Sequence, residues 1–114
     1  MRLTTAMWFA VFRRLEEQRG AYLTVVRTGA QQAGVVFIVQ KTAGYQFNIY
    51  GPAPQVFAVE GISERLFEQV ASDVPQEEVD RFIEKQLQFD PDLWVIETEA
   101  GSGEISLQLL EART

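Results

Sequence analysis

The sequence predicts a single α+β domain, a mainly antiparallel sheet of four to six strands with two helices packed against it, in the order α-β-β-β-β-α-β. Three observations predict it. Two segments, one near the start of the chain and one in its second half, repeat apolar residues at helical spacing. Between them lie strand-like runs joined by short turns, which favour antiparallel neighbours. The chain has 114 residues and no internal repeat, low-complexity tract or linker, the size of one core. Residues 1–114 are therefore one domain, with a flexible break at Gly101-Ser102-Gly103.

The first helix begins at Thr4 or Thr5, either of which can cap exposed N–H groups. Trp8, Val11, Phe12 and Leu15 fall at i, i+3, i+4 and i+7 and form its apolar stripe. Met7 and Phe9 flank that stripe on opposite sides, so the apolar face is broad. Either the helix sinks deeply into the fold or one flank meets another chain, and the buried reading is preferred. Gly20 stops the helix, because glycine readily takes a left-handed conformation.

Three strands follow. Tyr22 to Thr28 is rich in β-branched and aromatic residues. Val35-Val36-Phe37-Ile38-Val39 is apolar at every position, the mark of a central strand covered on both faces. After a turn at Thr42-Ala43-Gly44, Tyr45, Phe47 and Ile49 alternate with Gln46, Asn48 and Tyr50, a period of two with one buried face. Gly51-Pro52-Ala53-Pro54 stops that strand, and 55–63 reads as a surface loop. Residues 64–71 fit either a helix, through Ile62, Leu66 and Val70, or a strand.

Asp73-Val74-Pro75-Gln76 resembles a capping box, and Glu77 and Glu78 suit the positive end of a helix dipole. Val79, Phe82, Ile83 and Leu87 make the buried stripe of this second helix, with Gln86 inside it and Glu77, Arg81 and Lys85 outside. Pro91 ends the helix at or before Asp90. Leu93 to Glu99 is a strand, parallel to the strand before the helix if both share a sheet. Ile105 to Leu109 supplies an edge strand. Both helices are expected on one face of the sheet.

Composition excludes much chemistry. There is no histidine and no cysteine, so Ser-His-Asp and Cys-His triads, zinc fingers, haem-His sites and redox CxxC pairs cannot be built within the chain. Enzymes that use carboxylates, Lys, Tyr or Arg remain possible. No cofactor is expected. The lack of cysteine fits a reducing compartment. The apolar run Ala6 to Phe12 is followed by Arg13-Arg14 and not by a small-residue cleavage site, and no stretch reaches the length of a membrane span. A soluble, cytoplasmic protein is expected. Net charge is −6, yet residues 1–59 hold six basic groups and two acids, and residues 60–114 four basic groups and fourteen acids. The acidic total argues against nucleic acid as a partner.

The run Phe89-Asp90-Pro91-Asp92-Leu93-Trp94-Val95-Ile96-Glu97 resembles a family of short alphaproteobacterial proteins, domain of unknown function 1491. The resemblance extends over the full length, through Arg2-Leu3, Trp8, Ala33-Gly34-Val35-Val36-Phe37, Tyr50-Gly51-Pro52 and the acidic second helix. It implies an aromatic-rich extended segment before that helix, which tips residues 64–71 towards a strand. It implies no activity, cofactor or catalytic residue.

The candidate functional residues are Asp90, Asp92, Trp94, Tyr50, Arg13 and Arg14. Asp90 and Asp92 flank a proline between helix and strand, where paired carboxylates can hold a hard cation or divide acid and base roles. Asp-Pro-Asp is equally good turn chemistry, the preferred reading. Trp94 could line a pocket, though sheet packing explains it more simply. Tyr50 before Gly51-Pro52 could mark a docking groove, or end a strand. Arg13 and Arg14 on the outer face of the first helix could grip an acidic partner, with Glu16 and Glu17 beside them. The functional expectation is a non-enzymatic interaction module that binds a partner protein or itself through an edge strand or a flank of helix one. The alternative is a carboxylate-based small-ligand or metal-binding protein, or enzyme, using the Asp-Pro-Asp turn and Glu97.

Overall fold

The computed structural model describes residues 4–53, 65–100 and 105–109. Its elements are α1 (Thr5–Gln18), β1 (Ala21–Arg27), β2 (Val36–Lys41), β3 (Gln46–Pro52), β4 (Leu66–Pro75), α2 (Gln76–Phe89), β5 (Trp94–Ala100) and β6 (Gln108–Leu109). The strands form one six-stranded sheet in the order β1-β5-β2-β3-β4-β6. Pairing is antiparallel for β1–β5, β2–β3 and β3–β4, and parallel for β2–β5 and β4–β6. The expected α+β class and element order hold. Residues 66–75 are strand, and β4 runs on to the start of α2. The expected loop at 55–63 and break at 101–103 lie outside the described residues.

The centre of the sheet is β2. Val36, Phe37, Ile38 and Val39 are all buried, as a run apolar at every position requires. Val36 and Ile38 pack with Phe12, Trp94 and Ile96 under α1, whereas Phe37 and Val39 pack with Val79, Leu93 and Val95 under α2. The helices therefore lie on opposite faces, not on one as expected. A strand apolar on both sides needs a helix on each. Strand β5 enters beside β2 in parallel register, Ile38 opposite Ile96, after α2 has crossed over β3 and β2. It runs parallel to β4 but is not its neighbour.

Helix α1 is capped by Thr4, whose hydroxyl accepts from Met7 N at 3.1 Å, and it ends before Gly20, at φ 85°. Its buried face differs from the expected stripe. Phe12 is buried and Trp8 and Phe9 pack beside it, but Val11 and Leu15 are 52% and 43% exposed, and Met7 is 51% exposed. Two polar residues occupy the inner face instead. The Thr5 hydroxyl donates to Gly34 O at 2.8 Å and accepts from Arg65. The Glu16 carboxylate, 1% exposed, accepts from Thr98 Oγ1 at 2.9 Å and from Ser106 N at 3.0 Å. These bonds turn the helix, because a buried polar group must keep its partners. Glu16 is thus no companion of Arg13 on the outer surface.

Two further local expectations are corrected. Tyr45 does not begin β3: it sits in a 3-10 turn, Ala43–Tyr45, at φ 63° and 77% exposed. Asp73 does not cap α2. It adopts φ 56° in a bulge of β4, where its N–H is taken by Asn48 Oδ1 at 2.9 Å, and the N-terminal flanking residue is Pro75, without a side-chain cap. The expected inner stripe of α2 holds: Val79 is buried, and Phe82, Ile83 and Leu87 pack against the same cluster. Gln86 is half-buried at the margin.

The Glu16 arrangement yields a stability contrast. Glu16→Ala strands one buried donor, the Thr98 hydroxyl, at about 1–3 kcal/mol, frees the half-buried Ser106 N–H as well, and should lower the denaturation midpoint accordingly in urea titration. Glu17→Ala removes only an exposed i,i+4 pair with Arg13, so its cost should stay at about 0.5 kcal/mol.

Candidate functional site

The sequence-predicted residues do not converge. Asp90 leaves α2 in extended geometry, and its carboxylate accepts from Asp92 N at 3.0 Å, an Asx turn. The turn is docked on the β1–β2 loop: Ala30 N donates to Asp92 O at 2.9 Å, and Arg27 Nη2 donates to Pro91 O at 2.7 Å. A Cβ on Gly29 would come within 2.0 Å of Asp92 O, so only glycine allows this approach. Among the described residues no three His, Cys, Asp or Glu side chains gather as a metal site.

Trp94 and Tyr50 both lie in the core under α1, 5% and 6% exposed. The Trp94 indole donates to Ala30 O at 2.8 Å and its ring meets Phe9, centroids 5.9 Å apart. The Tyr50 hydroxyl donates to Gln40 Oε1 at 3.1 Å. Burial raises the Tyr50 pKa, opposed by a side-chain bond from Asn48. The docking-groove reading of Tyr50 meets a closed surface, because α1 covers that side of β3. Arg13 and Arg14 are exposed on α1, with Arg13 paired to Glu17 at 3.3 Å.

Concavity lies elsewhere, on the other face of the sheet. Helix α2 covers β3 and β4 and stops short of β1. The gap is a pocket of about 250 Å³. Val39 and Val95 form its floor, Val79, Ile83 and Leu87 its helical wall, and Val26 its outer side. Gln76, Asp80 and Glu84 stand along the helical rim, and Glu97 enters from β5. Gln76 Nε2 donates to Asp80 Oδ1 at 2.8 Å, which holds that rim in place.

Glu97 is the unusual group here. Its neighbours on the same face of β5 are Val95 and Glu99, and its partner across the ladder is Val39. Its pKa is raised, chiefly by burial and further by the Glu99 charge, with Lys41 acting the other way. Lys41 is itself engaged by Glu99 at 3.4 Å and lies 5.0 Å from the Tyr45 ring. An apolar cleft bordered by three carboxylates attracts an apolar group that carries a positive charge.

Sequence reasoning touched this site only at Glu97. The i,i+4 pair Asp80 and Glu84, each one residue after a wall residue (Val79, Ile83), was visible in the pattern of α2. The pairing that sets Val39 beside Val95 was not, since it joins segments far apart in the chain.

Comparison with known proteins adds a lineage. A family model described as protein of unknown function, DUF1491, matches residues 3–108. The solution structure of protein Atu0922 from A. tumefaciens is similar over 99% of this chain and 98% of its own, at 34% identity and a TM-score of 0.84. A crystal structure of a DUF1491 family protein from Caulobacter crescentus matches at 25% identity and a TM-score of 0.76, covering 97% of this chain and 100% of that one. An NMR structure of a DUF1491 family protein from the same organism matches at 27% identity and a TM-score of 0.72, covering 97% and 99%. No curated protein is significantly similar.

The raised pKa of Glu97 sets a pH dependence. The folded state disfavours its charge, so the stability it contributes is full below the ordinary glutamate pKa and is lost as pH rises through the raised folded value. Glu97→Gln should therefore melt above the wild type at neutral pH, and the difference should vanish in acid, as read by thermal unfolding across that range.

Proposed function

The chain belongs to the DUF1491 family, and from that premise we propose that it is a non-enzymatic protein-interaction module, acting in the cytoplasm. Its partner inserts an apolar anchor flanked by lysine or arginine into the cleft between α2 and the β1–β5 side of the sheet. The observation that carries this reading is the cleft itself, with aliphatic walls and Asp80, Glu84 and Glu97 at its margin.

Size supports a protein partner over a small ligand. About 250 Å³ lies under the roughly 300–1,000 Å³ of pockets that enclose drug-sized molecules. It suits one or two side chains presented by a larger surface. Charge supports a basic partner: the second half of the chain holds fourteen acids, α2 among them, and complementary potentials raise association rates. The Asp-Pro-Asp alternative gains less support, because the Asp90 carboxylate and the Asp92 carbonyl both serve the turn that seats β5.

Short peptides with a leucine anchor and lysine flanks test the proposal by NMR titration against the same peptides with glutamate flanks. Lysine-flanked peptides should shift resonances of Val26, Val79, Ile83 and Leu87 and should weaken as salt rises. Glu84→Lys combined with Asp80→Lys should weaken binding by about tenfold or more, on the order of 1.4 kcal/mol. Equal binding of both peptide sets, or shifts that map away from α2, would refute the reading.

A further inference from the structure

We infer that the outer edge of β1 pairs with the same edge of a second copy of this chain, antiparallel and centred on Leu23. This goes beyond the cleft reading and stands whether or not the cleft binds a partner.

Strand β1 is the outer strand of the sheet, and among the described residues it pairs only with β5. Natural edge strands carry lysine, proline or inward charges that block pairing with another chain. Ala21-Tyr22-Leu23-Thr24-Val25 carries none of these, and the bulge, which also blunts edges, falls after Val25 and outside this stretch. Instead the strand leaves Tyr22 77% exposed, Val26 56% and Val25 37%. Its first charge, Arg27, is turned away by its bond to Pro91 O.

The register follows from the bulge. β1 pairs with β5 residue by residue from Ala21 to Val25, and the ladder slips between Val25 and Arg27. The regular stretch is therefore five residues long, and its centre is Leu23. A two-fold axis there makes an isologous contact, in which each surface meets its own copy. Tyr22 then faces Thr24 of the partner subunit, an aromatic residue against a β-branched one and a favourable cross-strand pair, and Ala21 faces Val25 of the partner subunit. No charge meets a like charge in this stretch.

This register also brings the two copies to the cleft. Thr24 lies opposite Glu97 on β5, on the face that bears Val26. The partner subunit's Tyr22, next to Thr24, stands at the open side of the cleft, where α2 gives no cover. Each copy supplies one residue to the margin of the other's cleft.

Sedimentation equilibrium of the full chain from micromolar to millimolar concentration tests the inference. The wild type should reach a dimer and stop there. The double variant Tyr22→Lys with Thr24→Lys sets two lysines opposite each other in both outer pairs and should raise the dimer Kd by about tenfold or more. Both side chains are exposed, and circular dichroism with urea unfolding confirms that the variant is folded. Val11→Lys, on the open flank of α1, should leave the dimer Kd unchanged. Amide hydrogen exchange should add the position, with protection of residues 21–25 that grows with protein concentration. A wild type that remains monomeric throughout overturns the inference. So does a dimer whose Kd the double variant leaves intact, or one that Val11→Lys dissociates. The peptide titration is read separately at Val79, Ile83 and Leu87, so loss of cleft binding and loss of the dimer are distinguishable.

Discussion

One strand governs this architecture. Val36-Phe37-Ile38-Val39 is buried on both faces, and leaving such a strand half exposed would forfeit about 1.5–3 kcal/mol for each large apolar side chain left in water. The chain must therefore cover two faces with two helices. It places α1 before the sheet on one side and sends α2 across the other. Everything else is arranged around that demand. The parallel entry of β5 beside β2 is possible because α2 supplies the long crossover that a parallel pair needs. Helix α1 is placed at the other end of the chain and closes the remaining face.

The two helices are held differently. α1 is tied to β5 by the bond of Glu16 to Thr98, and to the segments that flank the strands by the Thr5 hydroxyl to Gly34 O and Glu16 to Ser106. Polar ties specify one orientation, because a rotated helix would leave each group without its partner. α2 meets the sheet through apolar side chains, Val79, Phe82, Ile83 and Leu87, and its bond between Gln76 and Asp80 runs along its own surface. The polar pinning lies on the α1 face and the cleft on the α2 face. A contact site built from side chains that make no obligatory hydrogen bonds can accept an apolar guest without breaking any.

Local pattern made much of the fold legible. The period of α2, the uniform apolarity of β2, the stop at Gly20 and the exclusion of helix by Pro91 are all short-range effects, and each holds in the structure. The strand at Leu66–Pro75 was ambiguous by spacing, and the family resemblance settled it correctly. The failures on α1 share a cause. Glu16 reads as a surface residue and Thr5 as a candidate cap because their partners lie 82 and 29 residues away, beyond the reach of any helical periodicity. The exposed flank of Val11 and Leu15 follows from those same bonds. The expectation of both helices on one face was avoidable, since it conflicts with a strand that is apolar at every position.

The candidate site was less legible for a related reason. Motif reading favours conspicuous residues, and in this chain the conspicuous ones are structural. Trp94, Tyr50 and the Asp-Pro-Asp turn seat β5 and fill the core, and their geometry is consumed by that work. The cleft is made of ordinary valine, isoleucine and leucine, assembled by the β2–β5 pairing and left open because α2 lies over β3 and β4. Its one chemical signal is a charge placed where apolar residues surround it. Glu97 sits on the face of β5 that continues from Leu93 and Val95, two buried residues. A third apolar residue there would have extended the core towards β1. A carboxylate at that position keeps the face wet and unpaired within the fold, at a cost in stability that a purely structural residue would not impose.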